Sequence, residues 1–347
     1  MMKIFALVLA LMLVCSAAAL AEKVGVAMPT QDLQRWVQDG DNMKKELEAA
    51  GYEVDLQYAA NDVSTQVNQI QNFITNGCDV LVVASIDGGA LDEVLSQGKE
   101  AGCMIVAYDR MLTDTEAVDY YATFDNYKVG VIQATYLVEK LDLENTDQVY
   151  TMEVFAGSPD DSNARYFYNG AMDMLKPYIE AGKLNVVSGQ YDFETCAILG
   201  WGTDDAQARM ENLLTAFYAD GSFPQVVLSP NDSLALGVAN ALEAAGCTAE
   251  EWPVITGQDC DIANTKNIIA GKQSMSVFKD TRTLAAKVVE MVDCYLLGEE
   301  VPVNDTETYD NGVKVIPSFL CDPVFADVNN YEELLVESGY YTADQLA

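Results

Sequence analysis

Histidine is missing from this 347-residue sequence, and positively charged residues are few: 19 lysines and arginines stand against 54 aspartates and glutamates. Histidine is a frequent general base and the commonest metal ligand of proteins, so its absence argues against most acid–base enzymes and against a zinc site. The formal net charge of −35 repels phosphate groups and anionic lipid headgroups. The composition therefore argues against nucleic-acid binding and against association with a membrane surface.

The motifs of the common enzyme classes are missing as well. There is no G-x-S-x-G nucleophile elbow, no GxxxxGK[ST] phosphate loop and no GxGxxG motif after the first predicted strand. The acidic segment 304–311 lacks the ligand spacing of a calcium loop. Neither a metal nor a cofactor is expected. Aspartate pairs are plentiful, so a glycosidase that uses only carboxylates remains a remote alternative to a binding protein.

The N-terminus has the three parts of a secretory signal peptide in residues 1–21. Lys3 supplies the positive charge, residues 4–14 are apolar, and Ala19-Leu20-Ala21 is a small-x-small cleavage site. No later apolar run approaches the ~20 residues that a membrane-spanning helix requires. We therefore expect a secreted, periplasmic or extracytoplasmic protein.

Eight cysteines are present, and the first of them, Cys15, lies within the predicted signal peptide. Lipid attachment at Cys15 is an alternative to simple cleavage, but the preceding Val14 is larger than the residues that normally occupy that position. The other seven cysteines are an odd number, which leaves at least one thiol free or paired between chains. Cys78 and Cys103 each precede a strand-like run, so either a disulfide links them or both are buried and reduced.

Short apolar runs alternate with amphipathic segments from residue 24 onward. The predicted strands are the runs 24–28, 54–58, 80–84, 105–108, 149–154, 186–187, 226–228 and 254–256. The predicted helices are the segments 36–50, 64–75, 90–99, 164–179, 204–218, 233–245 and 283–297, with a further helix beginning near residue 129. The strands are continuously hydrophobic, which indicates parallel sheets covered by helices on both faces. The chain length and the two series of elements predict two doubly wound α/β lobes.

Polar motifs follow the predicted strands, at the edge where open α/β sheets bind ligands. Asp109-Arg110 combines an acceptor carboxylate with a fork of donors, which suits the vicinal hydroxyls of a sugar. Asn231-Asp232 and Gln258-Asp259 each combine an amide with a carboxylate. Taken singly, these motifs are weak signals, because Asp109-Arg110 is also typical of a surface ion pair in a loop, and the other two are also typical of helix caps. Their shared location at strand ends predicts a ligand cleft.

Two of the three tryptophans are candidates for stacking on a sugar ring. Trp36 follows Arg35 at the start of a predicted helix, and Trp201 lies between two glycines in a setting that we interpret as too open for core packing. Sugar rings have apolar faces that stack on aromatics and hydroxyl rims that need polar partners. We predict one indole from each lobe on opposite faces of the sugar. Lys279 precedes a predicted helix. Its side chain either reaches into the cleft or lies at the start of that helix without a role in binding.

A set of ordered motifs resembles the periplasmic monosaccharide-binding proteins of ABC importers. The motifs are VGVAMPT at 24–30, ASIDG at 84–88, AYDR at 107–110, YATFDN at 121–126, GSPDD at 157–161, LSP at 228–230, GQD at 257–259 and FKDTR at 278–282. The resemblance is nearest to the ChvE-like multiple-sugar-binding branch, next to the xylose-binding proteins, and it extends to the Tyr340-Tyr341 ending. Two positions depart from that branch: Asn231 stands where it often has Tyr, and Arg165 where it has an apolar residue. The resemblance therefore does not identify the preferred aldose.

The resemblance implies a type I periplasmic binding fold, in which three crossings join two lobes that close on one aldopyranose such as glucose, galactose, xylose or arabinose. The crossings are expected near Met111, Phe278 and Phe319. The N-terminal lobe would then comprise residues 22–111 plus 279–318, and the C-terminal lobe residues 112–278 plus 319–347.

The resemblance also implies the site and the partners. The expected sugar-binding residues are Arg35, Trp36, Asp109, Arg110, Asn163, Trp201, Asn231, Asp232, Gln258, Asp259 and Lys279, with no catalytic residue and no metal ligand. The protein is expected to be a monomer that delivers a monosaccharide to the permease of an ABC importer in the membrane. The alternative is a sugar sensor that docks on a chemoreceptor or a histidine kinase.

Overall fold

The structure is a computed structural model that describes residues 21–347. The predicted signal peptide, apart from Ala21, and the alternative lipid site at Cys15 lie outside the described residues. Among residues 21–347, none of the helices combines the length and the apolarity of a membrane span.

Ten of the twelve strands in residues 21–347 form two parallel sheets, and the other two form an antiparallel pair. The strands are β1 (Lys23–Met28), β2 (Glu53–Tyr58), β3 (Val80–Val83), β4 (Met104–Tyr108), β5 (Tyr120–Phe124), β6 (Tyr150–Val154), β7 (Leu184–Val186), β8 (Val226–Leu228), β9 (Val254–Ile255), β10 (Met275–Phe278), β11 (Ser318–Cys321) and β12 (Val324–Asp327). The first sheet has the order β11-β5-β4-β3-β1-β2, and the second has the order β7-β6-β8-β9. The antiparallel pair β10-β12 continues the second sheet through a parallel bridge between Gln258 and Val277. The predicted doubly wound α/β fold class is confirmed.

Helices cover both faces of each sheet. They are α1 (Gln34–Ala50), α2 (Val63–Thr75), α3 (Asp92–Glu100), α4 (Asn126–Lys140), α5 (Ser162–Glu180), α6 (Phe193–Cys196), α7 (Thr203–Phe217), α8 (Asp232–Ala244), α9 (Ile262–Ile269), α10 (Thr281–Leu297) and α11 (Ala343–Leu346). In the first lobe, Val80 and Val82 of β3 pack in the core beneath α1 and α10, while Leu81 and Val83 pack beneath α2 and α3. A strand buried on both faces needs apolar residues at every position, which explains its continuous hydrophobicity.

The second lobe is built in the same way around α4, α5, α7 and α8. α4 and α5 approach closely because each has a glycine at the contact. A Cβ on Gly130 would lie 2.0 Å from the carbonyl oxygen of Phe167, and a Cβ on Gly170 would lie 2.1 Å from that of Tyr127. This close packing fixes the first turns of α5, which carry residues of the cleft described below.

The chain passes between the lobes at three places. It leaves the first sheet after β5, at Asp125; it returns after β10, at Lys279-Asp280; and it leaves again after β11, at Asp322-Pro323.

The lobe boundaries predicted from the sequence differ from these crossings at two points, because they assign β5 and most of β11 to the second lobe. Both strands instead pair in the first sheet. β5 has the sequence YYATF without an aliphatic run, so its partners β4 and β11, which are distant in sequence, determine its position. We propose lobes of residues 22–124 plus 281–321 and 126–278 plus 324–347.

All seven cysteines in the described part of the chain are free. Cys103 Sγ donates to the backbone carbonyl of Cys78 at 3.1 Å, so the two residues are neighbours but form no disulfide in this structure. Burial raises the pKa of the Cys78 thiol to about 11 and that of Cys196 to about 12. Of the two alternatives for Cys78 and Cys103, the structure has the buried, reduced pair.

Candidate functional site

A cavity lies between the two lobes. Ten of the eleven predicted site residues line it: Arg35, Trp36, Asp109, Arg110, Asn163, Trp201, Asn231, Gln258, Asp259 and Lys279. They lie in the first turns of helices, in the turns that precede helices, or in loops after strands. Seven separate segments of the chain thus meet at this one place.

Arg35 is the centre of the charged part of the cavity. Its guanidinium donates through Nη2 to Asp109 at 2.6 Å, through Nη1 to Asp259 at 2.9 Å and through Nε to Asp39 at 2.5 Å. Burial opposes the charge of Arg35, but the three carboxylates together raise its pKa. Because Arg35 belongs to the first lobe and Asp259 to the second, one of these ion pairs joins the lobes across the cleft.

Lys279, at a crossing, completes this cluster. Its Nζ lies 3.4 Å from Asp259 Oδ1 and 3.7 Å from Asp109 Oδ2. Burial acts to raise the pKa of Asp109, but Arg35, Lys279 and Arg110 outweigh it and lower that pKa to about 2. Asp109 is therefore a carboxylate at neutral pH, and its oxygens are acceptors held between cations.

Asp161 forms a second link between the lobes. Its Oδ2 lies 2.9 Å from Nε of Arg110 in the first lobe and accepts from the indole Nε1 of Trp201 at 3.2 Å. Its Oδ1 caps α5 by accepting from the backbone of Asn163. Burial raises the pKa of Asp161, although Arg110 acts against that shift. The carboxylate therefore orients an indole and a guanidinium at the same wall of the cavity.

Trp201 is packed, which corrects the interpretation that its setting is too open for packing. Only 5% of the residue is exposed, and its ring lies edge-on to Phe167 with the centroids 6.2 Å apart. Gly157 leaves room for the indole, because a Cβ there would lie 1.9 Å from Trp201 Cη2. The backbone of Trp201 has φ 58°, a left-handed conformation that Gly200 shares with φ 64°. The two glycines around Trp201 therefore accompany a tight turn rather than an exposed side chain.

Trp36 has a cation on its ring. The guanidinium carbon of Arg110 lies 5.0 Å from the ring centroid, and that of Arg35 lies 5.8 Å from it. Trp36 is also part of the core of the first lobe and is 4% exposed. The indole therefore holds the Arg110 side chain against the cavity wall through a cation–π contact.

The amide groups of the site have different partners. Asn163 Nδ2 donates to the backbone carbonyl of Asp109 at 2.7 Å, across the cleft. Asn231 Oδ1 accepts from the backbone of Leu234 and so caps α8, which is the helix-cap role considered for this motif. Asn231 also lines the cavity. Gln258 Nε2 donates to the carbonyl of Pro230, whereas Gln258 Oε1 has no partner among the described residues. The Oε1 atom is therefore a buried acceptor available to a hydroxyl donor.

Asp232 does not line the cavity, which is a correction to the predicted site. It is fully buried, and its Oδ1 accepts from Gln273 Nε2 at 2.8 Å and from Ser276 Oγ at 2.9 Å. Its Oδ2 accepts from the backbone of Asp261 at 2.9 Å. Burial and the neighbouring Asp261 raise the pKa of Asp232. Asp232 therefore shapes the loop that carries Gln258 and Asp259.

The sequence reasoning missed five residues of the wall: Leu33, Asp161, Phe167, Ser233 and Asp261. Asp161 stands in the GSPDD motif just before a predicted helix, which is a helix-cap signal. Asp261 follows the Gln258-Asp259 motif by two residues, and its Oδ1 has no partner among residues 21–347. Burial and the Asp259 carboxylate raise the pKa of Asp261, while Arg35 acts to lower it. Phe167 follows no polar motif, so only its three-dimensional position indicates a role.

Three residues of the wall have left-handed backbone conformations that side chains rarely adopt: Asp109 with φ 58°, Trp201 with φ 58° and Asp259 with φ 99°. Such conformations cost about 1–3 kcal/mol each and persist where the surroundings enforce them. At Asp109 the surroundings are hydrogen bonds from Tyr121 and Thr123 to its carbonyl oxygen. Their concentration at one cavity is typical of a functional site.

This chain is similar to known proteins over most of its length. The model of a family described as "Periplasmic binding protein domain" matches residues 24–300. The multiple sugar-binding periplasmic receptor ChvE of Rhizobium radiobacter is 50% identical over 325 residues, which are 93% of this chain and 92% of that protein. The D-xylose-binding periplasmic protein of Escherichia coli (strain K12) is 37% identical and covers 96% of each chain.

Solved structures are similar in both sequence and shape. An ABC transporter solute-binding protein from Clostridium phytofermentans, crystallised with bound β-D-glucose, is 59% identical and superposes with a TM-score of 0.91. The match covers 94% of this chain and all of that one. A carbohydrate transporter solute-binding protein from Chloroflexus aurantiacus, in complex with D-glucose, is 30% identical with a TM-score of 0.83 and covers 94% of this chain and 98% of that one.

Proposed function

Because this chain belongs to the periplasmic binding protein domain family, we propose that it is an extracytoplasmic receptor that captures one monosaccharide between its lobes and delivers it to an ABC-type sugar importer. The family is one of binding proteins, and the relatives compared above are periplasmic sugar receptors or transport proteins.

The observation that carries this proposal is the composition of the cavity wall. Two indoles, Trp36 and Trp201, come from opposite lobes, and four carboxylates and three cations line the same space. A sugar offers apolar ring faces to aromatics and hydroxyls that both donate and accept, so it matches a wall with nearly balanced charge. The unpartnered acceptors Gln258 Oε1 and Asp261 Oδ1 add two positions for hydroxyl donors.

The same wall supports a mechanism of capture. The contacts of Arg35 with Asp259 and of Arg110 with Asp161 join the lobes directly. A bound sugar would take over hydrogen bonds from both lobes at these residues and so stabilise the closed state by its differential affinity for it. Opening of the lobes at the three crossings would expose the cavity and release the sugar.

D-glucose is the ligand that we propose to test first. The structure that is 59% identical to this chain holds β-D-glucose, and the one that is 30% identical holds D-glucose. Because relatives named for several sugars and for D-xylose are also similar to this chain, galactose, xylose and arabinose belong in the same panel.

Isothermal titration calorimetry of the chain without residues 1–21 tests the proposal. We expect D-glucose or another aldose of the panel to bind with one site per chain and a dissociation constant in the micromolar range or below. The sugar should be recovered unchanged by mass spectrometry after prolonged incubation, and oligosaccharides should stay intact. Absence of binding to every aldose would contradict the capture of a monosaccharide, and cleavage of an oligosaccharide would favour a glycosidase instead.

Delivery to a membrane partner needs a separate measurement. The sugar-loaded protein should stimulate ATP hydrolysis by its cognate importer in proteoliposomes, whereas the protein without sugar should stimulate it less. Binding of sugar without any stimulation would leave the receptor role and contradict the importer as its partner.

A further inference from the structure

Asp39 holds the guanidinium of Arg35 from behind the cavity wall. Arg35 donates to three carboxylates, and two of them, Asp109 and Asp259, line the cavity. The third, Asp39, is 0% exposed and accepts from Arg35 Nε at 2.5 Å. It stands one helical turn after Arg35 in α1, the spacing at which side chains on a helix meet. Asp39 is therefore the partner of Arg35 that a sugar does not touch.

The other oxygen of Asp39 is also bound. The hydroxyl of Tyr108, the last residue of β4, donates to Asp39 Oδ1. Tyr108 directly precedes Asp109 in the chain. The series Tyr108, Asp39, Arg35 thus ties the first turn of α1 to the end of β4, the two segments that bring Arg35 and Asp109 to the cavity.

We propose that Asp39 is a positioning residue for sugar binding: its carboxylate fixes the Arg35 guanidinium at the cavity from behind the wall. This inference rests on the proposed function and deepens it by adding a residue outside the cavity.

The physical reason is preorganisation. An arginine side chain has many rotamers, and ordering it on binding costs affinity. When sugar hydroxyls compete for Nη1 and Nη2, the bonds from Arg35 to Asp109 and Asp259 must be exchanged or shared. The bond from Nε to Asp39 needs no exchange, because Asp39 is out of reach of the sugar. It keeps the guanidinium plane in place while the other two edges change partners.

The charge of Asp39 depends on pH near neutrality. Burial raises the pKa of Asp39 to about 6, although the charge of Arg35 and the hydrogen bond from Tyr108 act to lower it. The titratable or charged groups that face Asp39 from the elements around it are Arg35, Tyr58, Tyr108, Asp109 and Tyr340. The tyrosines stay neutral below pH 8, so Asp39 is the member of this group whose charge changes between pH 5 and pH 8. Protonated Asp39 is a weaker partner for Arg35, because the ion pair becomes a neutral acceptor.

The experiment compares Asp39→Asn with Asp41→Asn by calorimetric titration of D-glucose from pH 5 to pH 8. Asp41 lies two residues away on the exposed side of α1 and serves as the matched control for the loss of one charge. At pH 8 we expect D39N to bind D-glucose at least about tenfold more weakly than wild type, and D41N to bind like wild type. At pH 5 the ratio of the D39N and wild-type dissociation constants should fall to within about threefold, because wild-type Asp39 is then protonated.

Tyr108→Phe provides a second variant that leaves the shape of the core intact. Without the hydroxyl donor, the ionised form of Asp39 is less stable, so the pH at which wild-type affinity begins to fall should move upward in Y108F. A residue with only a packing role would not move this pH.

The possible outcomes separate the two proposals. A wild-type protein that binds D-glucose, together with a D39N variant that binds equally well or is weakened by the same factor at every pH, would overturn the role of Asp39 and leave the receptor function intact. A wild-type protein that binds no aldose would overturn the receptor function and this inference with it.

Discussion

Tyr341 and Gln34 join the two lobes by a direct hydrogen bond, in which Gln34 Nε2 donates to the Tyr341 hydroxyl at 2.7 Å. Gln38 Nε2 donates to the same oxygen at 2.9 Å, and the hydroxyl donates in turn to the backbone carbonyl of Cys260 at 2.9 Å. Gln34 and Gln38 belong to α1 of the first lobe, whereas Tyr341 packs with Cys260 in the second lobe. The C-terminal segment therefore forms an interlobe contact outside the sugar cavity.

Tyr341→Phe should weaken sugar binding without touching the cavity. The change removes the shared hydroxyl, and one hydrogen bond contributes about 0.5–1.5 kcal/mol, so we expect an affinity loss of roughly twofold to tenfold. The sugar should dissociate faster, because the loss falls on the closed state. Stopped-flow tryptophan fluorescence with D-glucose measures this rate, and small-angle scattering measures the compaction on saturation.

Tyr331→Phe is the control for that prediction. Tyr331 packs at the same C-terminal cluster, but its hydroxyl makes no hydrogen bond within residues 21–347. If Y331F and Y341F release the sugar at the same rate, the bonds to Gln34 and Gln38 do not stabilise closure.

Trp36→Phe and Trp201→Phe should each reduce affinity, because a smaller ring offers less surface to a sugar face. We expect about 0.5–2 kcal/mol for each change, measured by calorimetry. Phenylalanine is preferable to alanine because both indoles are buried and a large cavity would destabilise the fold. Trp252→Phe is the matched control, since that indole donates to the carbonyl of Lys272 and lies outside the cavity wall. Affinity that is unchanged in both W36F and W201F would contradict stacking.

Asp259→Asn should have the largest effect on binding among the single substitutions of the wall. It keeps the shape of the side chain but removes the charge that faces Arg35 Nη1 and Lys279 Nζ. Removing one partner of buried charges costs about 2–5 kcal/mol, so binding should be lost at micromolar protein concentration. Asp204→Asn, on the exposed surface at the start of α7, should bind like wild type. Wild-type affinity in D259N would mean that Asp259 only shapes its loop.

Stability without sugar should fall as the pH rises from about 4 to 7. The pKa of Asp39 is raised to about 6 by burial, so the folded state binds its proton more tightly than the unfolded state does. Such a group contributes fully to the free energy of unfolding below its unfolded pKa of about 4, and this contribution is lost as the pH rises past 6. The contribution is on the order of 2–3 kcal/mol. Burial raises the pKa of Asp161 and of Asp261 in the same direction. The lowered pKa of Asp109, about 2, affects stability only below pH 4.

Urea unfolding at pH 5 and pH 7.5 in high salt measures this dependence, since salt screens the surface charges. Asp39→Asn should show a smaller difference between the two pH values than wild type. An equal difference in both proteins would assign the pH dependence to other carboxylates.

The predicted site residues of the first lobe rest on local signals in the sequence. Asp109-Arg110 stands directly after a buried strand, and Arg35-Trp36 lies in the first turn of the helix that follows β1. The carboxyl edge of a parallel sheet brings such residues together. The fold class follows in the same way from strands such as β3, whose four residues are all apolar. These features depend on neighbours in the sequence.

The remaining features depend on contacts between distant segments. Asp232 and Asp259 have the same local pattern, because each follows an amide residue at the end of a strand. Gln273 and Ser276, which come from a later segment, nevertheless enclose Asp232 away from the cavity. β5 has aromatic residues and a threonine, which favour strands, but no aliphatic run, and it acquires its place from β4 and β11. The contact between Arg35 and Asp39 could have been predicted, because the two residues have the i, i+4 spacing and stand at the start of the predicted helix 36–50.

The free thiols of this protein have a consequence for how the chain matures. Burial raises the pKa of thiols such as Cys78 and Cys321 to about 11, and a protonated thiol is a poor nucleophile for disulfide exchange. Because residues 21–347 contain no disulfide in this structure, we expect their folding to need neither an oxidant nor a disulfide isomerase. The chain should reach the same native state in a reducing cytoplasm and in an oxidising exterior, so the redox potential of its surroundings does not restrict where it is produced.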